Sequence, residues 1–237
     1  MKTIDIIIPI YYNNLNEIEP SIKKQTEFYR NYLKNYEWKI IVGINGLNKN
    51  GIVEKAKELS EKYENVEYDY TEEVGRGASL NRLFVKGKSD FVCYMDVDLS
   101  TNLEALPIML KELELGNELV VGSKYIKNAS FKRIPIRYVL SKIYNGIFTR
   151  FILNADFSDS QCGFKGMRVE TAKKVIPLIR DKGWFWDTEL LYLTQRAGYR
   201  FKEIPVNWVE KGNSGVNLFG IVLDFSKKII SLKYRNL

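Results

Sequence analysis

The 237-residue chain contains no histidine. Neither an imidazole metal ligand nor an imidazole proton carrier is available, so a bound metal should be held by oxygen and a general base should be a carboxylate. Cysteine is nearly as scarce. Cys93 falls in an expected strand and Cys162 in an expected loop, without Cys-x-x-Cys spacing. That usage speaks against a disulfide framework and suits a reducing compartment. No run reaches the roughly eighteen uninterrupted apolar residues of a spanning helix. Charge enters too early, at Lys2 and Asp5, for a signal peptide. The expectation is a soluble or membrane-peripheral chain, placed in the cytoplasm or at the inner membrane face. Internal repeats and low-complexity linkers are also lacking, so one principal domain is expected.

What is present is ordinary in bulk: 45% apolar and 27% charged residues, enough for a real core. The net charge of +7 suits an anionic partner, whether a nucleotide diphosphate, a phospholipid surface or nucleic acid. The basic residues lack the aromatic interleaving of a strand-binding groove, so nucleic acid is not the expected partner.

Short β-rich runs at 4–10, 38–44, 66–70, 91–96 and 118–123 alternate with helical patterns at 15–33, 52–63, 78–86 and 103–115. This alternation predicts an α/β domain with a parallel sheet covered on both faces. Ligands bind such sheets beyond the carboxyl ends of the strands. Those ends carry Pro9-Ile10-Tyr11, Asn45-Gly46, Gly75-Arg76-Gly77 and Asp96-Val97-Asp98, which should line one crevice. The second half is less regular: a basic stretch at 124–150, a loop at 156–165, helices at 169–179 and 188–197, and a strand at 201–206. The tail, 218–237, forms an amphipathic helix with clustered cations. It suits either a helix closing the core or one lying on an anionic membrane.

Asp96 and Asp98 carry the clearest chemistry. Alternate strand side chains share a face, so both carboxylates leave the strand tip together. Two oxygen ligands suit Mg²⁺ or a similar cation that keeps non-protein ligands, such as a diphosphate. Glycines flanking Arg76 let a ligand approach the backbone, and they also suit a plain turn. Lys124, Arg133 and Arg137 fit a phosphate clamp as well as a solvated basic face.

Seven segments in order resemble the family 2 glycosyltransferases, inverting enzymes with the GT-A fold. They are Ile8-Pro9-Ile10-Tyr11, Gly75-Arg76-Gly77-Ala78-Ser79-Leu80-Asn81, Met95-Asp96-Val97-Asp98-Leu99-Ser100, Val121-Gly122-Ser123-Lys124-Tyr125, Lys132-Arg133-Ile134-Pro135-Ile136-Arg137, Asp159-Ser160-Gln161-Cys162-Gly163-Phe164-Lys165 and Trp186-Asp187-Thr188-Glu189-Leu190-Leu191-Tyr192. Within that family the pattern looks most like the polyprenyl- and dolichyl-phosphate glucosyl- or mannosyltransferases.

The resemblance implies a GT-A domain over 1–217. It assigns the donor to Pro9, Tyr11, Asn45, Arg76, Asp96, Val97 and Asp98, and Mg²⁺ or Mn²⁺ to Asp98 with Asp96. It assigns the acceptor to Lys124, Arg133, Arg137, Gln161, Asp187 and Glu189. Asp159 matches the carboxylate proposed as catalytic base in relatives. A phosphomonoester, with its second pKa of about 6, is already largely ionised at neutral pH, so a positioning role suits Asp159 equally well. The chain departs from the family pattern at Tyr11-Tyr12-Asn13, which lacks the usual acid, and at Ile44-Asn45-Gly46, where an amide replaces the usual acidic pair. An amide both donates and accepts, so uridine is a preference and not a requirement. The implied reaction moves a sugar, glucose first, from a nucleotide diphosphate to a polyprenyl phosphate. Transfer to a sugar hydroxyl and non-catalytic nucleotide or nucleic-acid binding are the competing readings.

Overall fold

A computed structural model describes residues 1–132, 135–211 and 218–235. Its centre is a seven-stranded sheet in the order β3-β2-β1-β4-β7-β5-β8. The strands are β1 (Lys2–Ile10), β2 (Tyr36–Asn45), β3 (Val66–Thr71), β4 (Phe91–Met95), β5 (Leu119–Ser123), β7 (Phe164–Arg168) and β8 (Phe201–Pro205). A separate parallel pair joins β6 (Ser130–Lys132) to β9 (Asn207–Val209). The helices are α1 (Leu15–Tyr32), α2 (Ile52–Lys62), α3 (Arg76–Lys86), α4 (Ala105–Glu114), α5 (Pro135–Ile143), α6 (Val169–Val175), α7 (Trp186–Arg196) and α8 (Leu218–Lys233).

β1 is buried from Ile4 to Ile10 because it is central and covered on both faces, so its sequence runs apolar without alternation. One layer, including Ile18, Ile22, Leu59, Leu106 and Leu110, packs on one face of the sheet. The other, including Leu80, Phe84, Ala172, Leu190 and Ile229, packs on the opposite face. The helices bury residues at helical spacing, as Ile18, Ile22, Gln25 and Tyr29 do in α1.

The sheet is mostly parallel, with one exception that the sequence pattern concealed. β7 runs antiparallel between β4 and β5. Residues 156–165 were expected as loop, and no strand was expected at 164–168. Phe164-Lys165-Gly166-Met167-Arg168 carries a cation and a glycine where a buried strand should be apolar. Both residues have tertiary reasons. Lys165 finds a buried carboxylate, and a Cβ on Gly166 would lie 2.5 Å from Met109 Sδ and 2.8 Å from Cys93 Sγ.

The basic stretch folds as β6, α5 and a π-helical continuation of α5 over Tyr144–Ile152. The expected tail helix is α8, which buries Phe225, Ile229 and Leu232 in the core, Phe225 packing on Tyr144 and Phe185. Among the described residues no helix is long and apolar enough to cross a membrane.

Candidate functional site

The four strand ends expected to share a crevice are joined by direct contacts. Asn45, ending β2, donates its side-chain N–H to the Ile10 carbonyl at 2.8 Å and accepts the Gly75 N–H at 3.3 Å. Tyr11 lies against Gly46, where a Cβ would come 2.4 Å from the ring and φ is +85°. Pro9 pairs in register with Gly43 at the end of β1. The Asn45 amide thus ties together the backbone of two neighbouring elements.

The Gly75 turn is shaped from the other side by the 181–182 backbone: a Cβ on Gly75 would sit 2.1 Å from the Lys182 carbonyl. Gly75 also has φ +123°, a value that side chains disfavour. Arg76, at the start of α3, turns inward. Its guanidinium bonds Asp96 at 3.1 Å and Asp187 more closely, and it stacks on the Trp184 ring at 4.6 Å. Asp187 is fully buried and also meets Lys165 Nζ at 2.6 Å and the Tyr94 hydroxyl. Two cations therefore oppose Asp187 and Asp96 directly behind the strand tip. Among the described residues the buried Arg76 Nε has no hydrogen-bond partner.

Asp96 sits at the edge of this cluster with 37% of its side chain accessible, recessed among protein atoms. Its N–H donates to the Gly163 carbonyl, and a Cβ at Gly163 would lie 1.8 Å from Asp96 Oδ2. Burial pushes the Asp96 carboxyl up to about 6; Arg76 opposes the rise and the nearby Asp98 adds to it. A raised carboxyl favours the protonated folded form. Its contribution to stability is complete below the ordinary 3.8 and is lost as pH climbs through about 6. A cation needs the opposite, ionised form. Binding of a cation by Asp96 is therefore expected to weaken on acidification through about pH 6. A thermal-shift series with Mn²⁺ from about pH 5 to pH 8 reads this. A flat response would remove Asp96 from the metal.

Asp98 follows in a tight turn in which Leu99 takes φ +52°. Ser100 donates to Asp98 from its N–H at 2.9 Å and its hydroxyl at 2.5 Å, orienting the carboxylate. Lys211 reaches the Asp98 and Leu99 carbonyls at 2.6 and 2.9 Å. Val97 faces the core between the two acids. A recess lined by Asp98, Leu99, Lys211 and the first turns of α1 opens beside this turn. No third Asp, Glu or Cys completes a metal cluster among the described residues. The donor set fits a hard cation that draws its remaining ligands from water and a diphosphate.

A second buried pair lies across the 160–163 loop. Asp159 accepts from Lys124 Nζ at 2.7 Å and from the Lys124 and Gln161 N–H groups at 3.0 and 3.3 Å. Glu203 of β8 receives the Ser158 and Asp159 N–H groups, fixing the loop. Burial alone would lower the Lys124 pKa, but Asp159 outweighs it and holds the ammonium charged. Burial also pushes the Cys162 thiol up to about 11, with Lys124, Asp159, Lys165 and Asp96 all acting on it. The two charged clusters therefore flank one loop. Gln161 donates to Thr188 at 2.8 Å.

Three residues expected on the acceptor side are engaged elsewhere, Asp187 in the buried cluster with Arg76 and Lys165. Glu189 receives the Arg180 and Asp181 N–H groups and the Arg235 guanidinium, so it braces the loop behind Gly75. Arg137 pairs with Glu210 at 2.6 Å. Arg133 lies outside the described residues. Of the aromatic run 184–186, Phe185 and Trp186 are core and Trp184 faces out over Arg76. The sequence reading missed Lys165, Tyr94, Glu203, Ser100 and Lys211. Only Ser100 left a local signal, a hydroxyl two residues after an Asp, which favours a side-chain-closed turn.

Residues 5–176 match the model of glycosyl transferase family 2. The chain belongs to that family. It is 30% identical over 229 residues to the glycosyltransferase AglD of Haloferax volcanii, covering 96% of this chain and 36% of AglD. It is 26% identical to a dolichyl-phosphate β-glucosyltransferase of Trichomonas vaginalis, covering 92% of this chain and 69% of the relative. Glucosyl-3-phosphoglycerate synthase from Mycobacterium tuberculosis, solved with Mn²⁺, UDP and phosphoglyceric acid, shares the fold. Its TM-score is 0.65 at 15% identity, over 98% of this chain and 77% of that one. The chain thus spans about a third of the length of AglD.

Proposed function

We propose that the domain transfers a hexose, glucose first among the candidates, from a nucleoside diphosphate, UDP by preference, to a polyprenyl phosphate at a membrane surface. The observation that supports this reading best is the Asp96–Asp98 strand tip, backed by Arg76 and opposed across the 160–163 loop by the Lys124–Asp159 pair. Similarity to a dolichyl-phosphate glucosyltransferase and a polyprenol monophosphomannose synthase favours the lipid acceptor.

In a single displacement the acceptor phosphate oxygen attacks the sugar C1 while the C1–O bond to the diphosphate breaks, inverting that carbon. Asp98 and Asp96 would hold Mg²⁺ or Mn²⁺, which supplies charge neutralisation to the departing diphosphate. Arg76 keeps Asp96 oriented, and Ser100 does the same for Asp98. The phosphate nucleophile needs no base, having a second pKa of about 6. Asp159, closed onto Lys124, therefore positions that ammonium for the acceptor and does not take a proton. Trp184 offers the donor sugar an exposed ring beside Arg76.

A thermal-shift screen of nucleotide sugars with and without Mn²⁺, followed by transfer assays with polyprenyl phosphate, tests the reading. One donor should raise the melting temperature only with metal, since selective binding stabilises the folded state. Transfer to free glycans but not to polyprenyl phosphate would overturn the lipid acceptor. No shift with any donor would overturn the transferase itself.

A further inference from the structure

Among the described residues the outer face of α5 and its π-helical continuation remains unpartnered. Ile136, Val139, Ile143, Ile147 and Phe151 are all exposed, Phe151 by 85%. Their spacings of three, then four, keep them in one stripe, because an α-helix aligns residues three and four apart and the wider π turn aligns those four apart. The sequence around the stripe has one sign of charge. No Asp or Glu occurs between Glu118 and Asp156. Lys127, Lys132, Lys142 and Arg150 are exposed in that interval. Phe131 and Tyr138 stack at 5.3 Å at one end, with Lys142 over the Tyr138 ring.

We propose that this stripe docks on an anionic phospholipid bilayer. An apolar strip bordered by cations and aromatic rings is what an interfacial helix requires, the side chains entering the acyl boundary while the cations meet headgroup phosphates. A second copy fits less well. A two-fold contact would set the patch against itself and bring its uncompensated cations together. α8 is the weaker candidate, because it buries Phe225, Ile229 and Leu232 in the core.

The opposite face of the same helix serves the site. Asn145 Oδ1 accepts the Ser160 N–H at 3.0 Å and its hydroxyl at 2.7 Å, and Tyr144 bonds Thr188 at 2.7 Å. One helix thus touches the bilayer on one side and the loop of Asp159 on the other. This deepens the functional reading by naming the surface that meets the acceptor's membrane. Binding is measured without donor or acceptor, so the two can fail separately.

Flotation of the full chain with vesicles of phosphatidylcholine alone, or with about one part in three phosphatidylglycerol, provides the test. The chain should float with the anionic vesicles. The Ile147→Glu/Phe151→Glu variant should lose at least about tenfold in vesicle affinity with its melting temperature kept, since both sites are solvent-facing. Ile230→Glu, on the exposed side of α8, should bind as the parent does. Ile147→Ser/Phe151→Ser, expected to weaken binding in the same sense, serves if the charged pair fails to fold. Absence of flotation with anionic vesicles overturns the proposal. Loss of binding in Ile230→Glu with retention in the double variant overturns it in favour of α8. A parent dimer that the double variant makes monomeric, with vesicle binding unchanged, assigns the stripe to self-association instead.

Discussion

Gly163→Ala is expected to reduce transfer activity by about two orders of magnitude or more while the protein still folds. The glycine sits where its missing Cβ would be 1.8 Å from Asp96 Oδ2 and 2.4 Å from Asp96 Cγ. No pair of unbonded atoms tolerates that separation, so the carboxylate must leave its position against Arg76. In the proposed reaction Asp96 positions the donor, and a displacement of about 1 Å in such a group costs on the order of a hundredfold in rate. The backbone at Gly163 does not require a positive φ, so the penalty to folding comes from overpacking, about 1–3 kcal/mol. Steady-state kinetics with a melting curve separate the two effects. Activity within a factor of a few of the parent would mean that Asp96 does not act from the position seen here.

Asp187→Ala should be the most destabilising single change at the site. Lys165 and Asp187 have no accessible side-chain surface, and Arg76 is nearly as enclosed. Removing the carboxylate leaves two buried cations with Asp96 beside Arg76 and the Cys162 and Ser160 carbonyls on Lys165. Breaking a buried pair from one side typically costs about 3–5 kcal/mol. For a domain of this size that corresponds to roughly 10 °C in melting temperature. Replacing both partners with apolar residues, as in Lys165→Met/Asp187→Leu, should recover part of the loss, because it removes the stranded Lys165 charge. A single variant melting within about 2 °C of the parent would show that the cations find other partners.

The sequence was readable where one residue's environment is set by its neighbours along the chain. Strand–helix alternation and apolar runs located β1 to β5 and α1 to α4. It was unreadable where a residue's partner lies far away. Lys165 reads as a solvated cation until Asp187, on α7, is brought to 2.6 Å. Glu189 and Arg137 read as acceptor ligands because acids and arginines in a matching segment suggest one, yet each is engaged by a distant group.

The order of motifs by itself determined the family and the mostly parallel sheet, because these depend on local periodicity and short spacing. Only the tertiary structure decided that β7 inserts antiparallel between β4 and β5, carrying Gly163 and Lys165 to the back of the acidic tip. It alone turned Arg76 inward, closed Asp159 onto Lys124, and left the outer stripe of α5 facing solvent while α8 buried Phe225, Ile229 and Leu232 in the core. The reason is common to all of them. Burial and charge pairing are set by which segments meet in space, and a cation or an apolar face has the same sequence whether it is covered or not.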